Sequence, residues 1–253
     1  MSAPQFIHLR LHSEYSITDG TVRIDDAVAR AAGDGMPALA LTDLSNLFGL
    51  VKFYQAARGK GVKPIMGCDV WVSNDLERDR PSRLLLLAQS LAGYRTLSEL
   101  LTRAYRENRS RGRAELQPAW LEEINTEGLI ALSGAQMGDV GQALLSGNDA
   151  VARAAASRWA ALFPQRYYLE IQRTGLVDAE NCLQLTLPLA AELGLPVVAT
   201  HPIQFLDRDD YKAHEARVCI AEGALLGDRR RQRAFTEEQF FKSQAEMAEL
   251  FAD

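Results

Sequence analysis

Short apolar runs with strand character recur along the chain: QFIHL (5–9), PALALT (37–42), DVWV (69–72), RLLLLA (83–88), GLIALS (128–133), YYLEIQ (167–172) and PVVAT (196–200). Between most of them apolar residues repeat at helical spacing. In 22–32 Ile24, Ala27, Val28 and Ala31 share one face. The spacing predicts further helices over 46–57, 97–105, 138–145, 150–162, 179–193, 209–222 and 237–251. Ser45 is the expected N-cap of the 46–57 helix and Thr236 that of the last one, where Glu237 and Glu238 favour the helix N-terminus. Alternation this dense predicts an α/β architecture with a parallel sheet, and about seven strands is near the number that closes a barrel. The basic stretch RENRSRGRAELQP (106–118) reads as a loop.

In such barrels chemistry sits where strands end. Polar residues follow the predicted strands here: His8, Arg10 and His12; Thr42 and Asp43; Ser133; Gln172, Arg173 and Thr174; Thr200, His201 and Gln204. In HLRLHSEYSITDG (8–20), positions 8, 10 and 12 share a face of an extended strand. Two histidines and nearby acids suit a multi-metal cradle that activates water for phosphoester hydrolysis. The same spacing also fits hydrogen-bonded histidines at a strand end, and spacing alone favours that plainer reading.

Composition narrows the field. With 253 residues and 47% hydrophobic content the chain can bury a sizeable core, and 24% charged residues exclude bulk disorder. A net charge of −5 argues against a strongly basic nucleic-acid binder. Cys68, Cys182 and Cys219 form no CxxC pair, so neither a disulfide framework nor a zinc knuckle is indicated. Without a signal segment or membrane-length apolar run, a soluble cytoplasmic protein is expected. The run GDRRRQR (227–233) reads as a solvated loop, with contact to a DNA backbone or a neighbouring domain as the alternative. SGAQMGDVGQALL lacks the Gly-Lys-Ser/Thr of a P-loop and reads as a turn into a helix. Trp71, Trp120 and Trp159 read as packing residues, and Cys68 as a small buried one.

Longer stretches are more specific. FIHLRLHSEYSITDG, MPALALTDLSNLFGLVKFYQAARGKGVKPIMGCDVWV, LLLLAQSLAGYRTLSELLTRAY, LIALSGAQMGDVGQALL, RYYLEIQRTG and the tail from DDYKAHEARVCIAEG to EMAELFAD occur in one order. Together they resemble the N-terminal domain of bacterial replicative DNA polymerase III alpha subunits, which belongs to the polymerase and histidinol phosphatase (PHP) family. The resemblance implies a distorted seven-stranded (β/α) barrel of the PHP type, with 1–253 as a single PHP domain. The tail from about 225 is then a partly independent helical extension toward absent polymerase domains. Members continue past the final FAD, so the chain is expected to be a fragment.

Metal-binding members hold a cluster with imidazoles and carboxylates at strand ends. Carried over by position, that set is depleted here. Arg10 stands for the first histidine of His-x-His, while His12 and Asp19 are retained. Asp43 is kept, but Leu44 replaces the next histidine, and Asp69 shortens a glutamate. Arg83 and Thr174 stand at two further imidazole positions. ATHPIQ puts Pro202 and Gln204 where an acid and a histidine belong, with His201 displaced. Arginine offers no lone pair and cannot be deprotonated. No catalytic residue, resident metal cluster or cofactor is therefore expected in this chain; magnesium belongs to the absent polymerase domains. Two readings of the arginines stay open. Arg10 and Arg83, with Arg173, pair with Asp19, Asp43 and Asp69 in place of metal, or they bind an anion of phosphate size. The resemblance further implies a scaffold that docks a separate epsilon-type 3′–5′ proofreading exonuclease subunit. The remaining polymerase domains are partners, DNA is touched only peripherally and no membrane is involved. The alternative is a residual phosphoesterase or pyrophosphatase on His12, Asp19, Asp43, Asp69 and His201.

Overall fold

A computed structural model describes residues 6–74, 77–228, 230–231 and 233–253. Gln5 of the first expected strand, and Arg229 and Gln232 of the basic run, lie outside the described residues. The chain divides into two compact units, residues 1–65, 173–176 and 201–253, and residues 66–172 and 177–200.

In the first unit, helix α1 (Ile24–Gly33) buries Ile24, Ala27, Val28 and Ala31, the face its periodicity predicts. Strand β1 (Ala38–Leu41) is buried throughout. Helix α2 (Leu50–Gly59) begins later than expected, after Gly49. Ser45 is not its cap. It sits at φ 52° in a turn where the Asn46 side-chain amide donates to the Tyr15 and Leu44 carbonyls.

The opening segment is extended but forms no regular strand over 6–9. The carbonyls of His8 and Leu11 accept from the N–H groups of Ala40 and Thr42. A step of three residues thus faces a step of two, the mismatch that breaks a ladder at a bulge. On its other side, His12 N–H donates to Ile203 and Ile203 N–H to Arg10.

Strand β2 (Lys63–Val72) has its first three residues in the first unit and the rest in the second. The second unit continues with β3 (Ser82–Ala88), α3 (Leu91–Glu107), β4 (Arg109–Ser110), β5 (Arg113–Leu116), α4 (Pro118–Glu123), β6 (Leu129–Leu132), α5 (Asp139–Leu145), α6 (Asp149–Leu162), β7 (Tyr167–Ile171), α7 (Val177–Leu193) and β8 (Val197–Ala199). Its strands lie in the order β4-β5-β2-β3-β6-β7-β8. The sheet is mixed rather than all parallel. β3 runs antiparallel to β2 and β6, whereas β2–β5, β6–β7 and β7–β8 are parallel. Among the described residues no helix intervenes between β2 and β3, and a connection without a crossover returns the chain antiparallel. Leu84, Leu85, Leu86 and Leu87 of β3 are all buried, which explains an unbroken leucine run instead of alternation.

The basic stretch expected as a loop contains the β4–β5 hairpin, whose turn residues Arg111 and Gly112 both have positive φ, as a tight hairpin turn requires. Back in the first unit, α8 (Tyr211–Glu222) and α9 (Gln244–Leu250) close the chain. Ser243, not Thr236, caps the last helix, in a reciprocal pair with Glu246. The Thr236 hydroxyl donates instead to the Thr174 carbonyl.

Candidate functional site

In the first unit the motif 8–20 folds around Asp43. Its carboxylate accepts from the Ser13 N–H at 2.6 Å, from the Ser13 hydroxyl at 2.9 Å to each oxygen, and from the Ser16 hydroxyl at 3.1 Å. Ser16 Oγ also accepts the Leu44 N–H at 2.7 Å, so one hydroxyl holds the acid and the residue after it. Burial pushes the Asp43 carboxyl above the usual range, against the pull of the Ser13 N–H, the nearby His12 and the two hydroxyls.

His12 and Asp19 form a buried pair, with Nδ1 and Oδ1 3.0 Å apart. The Gln204 amide lies 3.4 Å from the same ring nitrogen. The structure thus brings Gln204, 192 residues away in sequence, to the His12–Asp19 pair of the opening motif. Arg10 is buried, and Leu44 is half-buried.

His8 and His201 are drawn into packing. His8 Nε2 bonds the Lys242 carbonyl at 2.7 Å and His201 Nε2 that of Phe240 at 2.9 Å. Phe6 and Phe241 meet the His8 ring edge to face. Burial lowers His8 to about 4 and His201 to about 3, so both stay neutral near pH 7. Arg173 is committed to the end of the chain, at 2.5 and 2.9 Å from the Asp253 carboxylate and 2.7 Å from the Leu250 carbonyl.

In the second unit Asp69 and Arg83 form a buried ion pair at 2.8 Å. They project from paired strands whose register sets Trp71 opposite both Arg83 and, on the other neighbour, Glu115. The Arg83 guanidinium lies 4.3 Å from the centre of the Trp71 ring, and that of Arg113 5.4 Å. Arg113 Nε donates to buried Glu115 at 3.1 Å, and Arg78 adds a second cation at 3.3 Å. The tryptophan, expected as packing, joins two ion pairs.

Two buried acids of the second unit were missed by the sequence reading, Glu115 and Glu170, as was Glu215 in the first. Glu170 accepts from the Gly134 N–H at 3.0 Å, the Gln172 amide at 2.9 Å and the Thr200 hydroxyl, while the Ser133 hydroxyl accepts the Glu170 N–H at 2.9 Å. Ser133, Gln172 and Thr200, noted as strand-end residues, act here as its partners. An acid inside the apolar run YYLEIQ was the available signal, because a buried carboxylate needs donors.

These residues do not suit a metal cluster. Asp69 is engaged by a guanidinium, His8 and His201 by backbone carbonyls, and Leu44 offers no donor. Among the described residues, no group of three or more His, Cys, Asp or Glu side chains is arranged to hold a metal ion.

The basic run behaves differently from a solvated loop at one position. Arg231 is half-buried and pairs with Glu215 at 2.7 Å and Glu222 at 2.8 Å, both on α8. Arg230 is exposed and, among the described residues, pairs with Asp228.

The family model for the PHP domain matches residues 8–174. The chain is 53% identical over 255 residues to the DNA polymerase III subunit alpha of Neisseria meningitidis serogroup A, covering 100% of this chain and 22% of the relative. With the subunit of the same name from Escherichia coli strain K12 it is 47% identical over 253 residues, with the same coverage. The chain thus spans about a fifth of the length of these curated relatives. Among solved structures, it is similar to an amidohydrolase from Chromobacterium violaceum, with a TM-score of 0.53 and 16% identity, covering 83% of this chain and 96% of that one. That likeness concerns the α/β fold.

Proposed function

The chain belongs to the PHP domain family, and from that premise we propose that it is the N-terminal region of a replicative DNA polymerase alpha subunit, serving there as a docking domain with no hydrolytic role of its own. In this reading the whole protein copies DNA and the PHP region holds a separate 3′–5′ exonuclease that proofreads. The observation that carries the loss of hydrolysis is the Asp69–Arg83 pair, a fixed guanidinium 2.8 Å from an acid at a family ligand position. A guanidinium there neutralises the acid and repels a cation. The relatives named as DNA polymerase III subunit alpha support the polymerase context. The test is calorimetric titration of the full-length protein with the cognate exonuclease subunit. Binding at or below roughly micromolar Kd is expected, and no heat of binding at such concentrations removes the docking role.

One observation favours a second reading, a residual phosphoesterase. The His12–Asp19 pair is intact at 3.0 Å and could serve as a base without metal. Phosphatase activity that survives purification and disappears in Asp19→Asn would support it, and activity unchanged in that variant would assign it to a contaminant.

A further inference from the structure

Helix α2 is apolar on two faces. Leu50, Phe53 and Ala57 turn inward. Val51 and Tyr54 lie on another side with Arg58, at spacings of three and four residues, and are 71% and 49% exposed. Phe48, in the turn before the helix, is 66% exposed, and Ile17 is 69% exposed. Ile17 joins this surface because its loop is tied to the turn: Ser16 bonds Leu44 and the Asn46 amide bonds the Tyr15 carbonyl. Large apolar side chains gathered on one surface mark an interaction site, and aromatic residues are typical anchors of one.

The charges around this surface indicate the occupant. Its acids are already countered: Lys52 lies 3.4 Å from both Glu14 and Asp25, and Arg23 lies 3.6 Å from Glu14. Arg58, Lys60 and Arg217 have no ion pair among the described residues, and Arg217 donates to the Ile17 carbonyl at 2.9 Å. An apolar strip with a cationic margin, on a chain of net charge −5, calls for an apolar segment edged with carboxylates. A second copy in twofold pairing would set the same cations against each other.

We propose that Ile17, Phe48, Val51 and Tyr54, flanked by Arg58 and Arg217, form the surface on which an acidic amphipathic segment of the exonuclease subunit docks. This rests on the docking role proposed above. The test titrates the cognate exonuclease subunit into the full-length protein at low and high salt. It compares wild type with F48S/V51S, R58E/K60E and a control, L185S/L187S on α7, after circular dichroism shows each to be folded. The expected result is weakening on the order of tenfold or more for F48S/V51S. R58E/K60E should weaken binding and flatten its salt dependence, and the control should bind as wild type. Wild-type binding that both surface variants retain overturns this surface and leaves the docking role standing. No binding by wild type sinks both. A wild-type dimer in sedimentation that F48S/V51S abolishes would make a second copy the occupant and overturn the proposal.

Discussion

Arg83 of β3 and Asp69 of β2, diagonal neighbours two residues apart in register, form a buried ion pair at 2.8 Å, with the guanidinium also over Trp71. Removing one partner strands the other in the interior. Arg83→Met is therefore expected to cost roughly 3–5 kcal/mol in urea unfolding. Asp69→Asn combined with Arg83→Met should recover much of that loss, since no lone charge remains. A double variant no more stable than the single one would show that the arginine acts by packing on Trp71.

The Ser16 hydroxyl serves Asp43 and the Leu44 N–H together. Ser16→Ala leaves both short of a partner and should cost roughly 1–3 kcal/mol. Denaturant midpoints of the variant and of wild type measure it, and equal midpoints would mean that solvent replaces the hydroxyl.

His8 is neutral in the fold, lowered to about 4 from an ordinary 6.5, and His201 is lowered to about 3. The unfolded chain binds these protons first as pH falls. The stability linked to His8 is thus complete above pH 6.5 and is lost on acidification toward about 4. From about pH 7.5 to about pH 5 its share is on the order of 2 kcal/mol. Asp43, with a raised carboxyl, acts in the opposite sense: its contribution is present in acid and lost as pH rises through its folded value. Stability followed against pH should fall less steeply in His8→Asn than in wild type. An unchanged slope would contradict a buried neutral His8.

Arg231 and Arg230 are neighbours with different surroundings, one half-buried and held by two glutamates, the other exposed. Arg231→Ala should lower the melting temperature by ~4 °C or more, because Glu215 is buried beneath it, while Arg230→Ala should leave it nearly unchanged. Equal effects would return the run to a solvated loop.

Much of this was legible in the sequence because burial leaves a period. The leucines of β3 and the inner face of α1 are read directly from apolar spacing. Arg109–Leu116 was not legible, because a short polar hairpin carries no apolar alternation and its turn uses Arg111 where Asn or Gly would have signalled it. The last helix began at the wrong cap, although Ser243 and Glu246 carry the S-x-x-E spacing of a capping box. At the candidate site, residue identities foretold which positions lack donor atoms. They did not foretell partners such as Ser16 for Asp43, Asp253 for Arg173 or the Lys242 carbonyl for His8, since these depend on chain paths that local pattern does not encode.

The proposal that an ion pair occupies a position where the family resemblance implies a metal ligand is tested most directly by metal analysis. The protein is purified without chelator, incubated with zinc and manganese, and desalted before elemental analysis. The account predicts metal well below one ion per chain, with Asp69 still engaged by Arg83. Two or more tightly held ions per chain would contradict it.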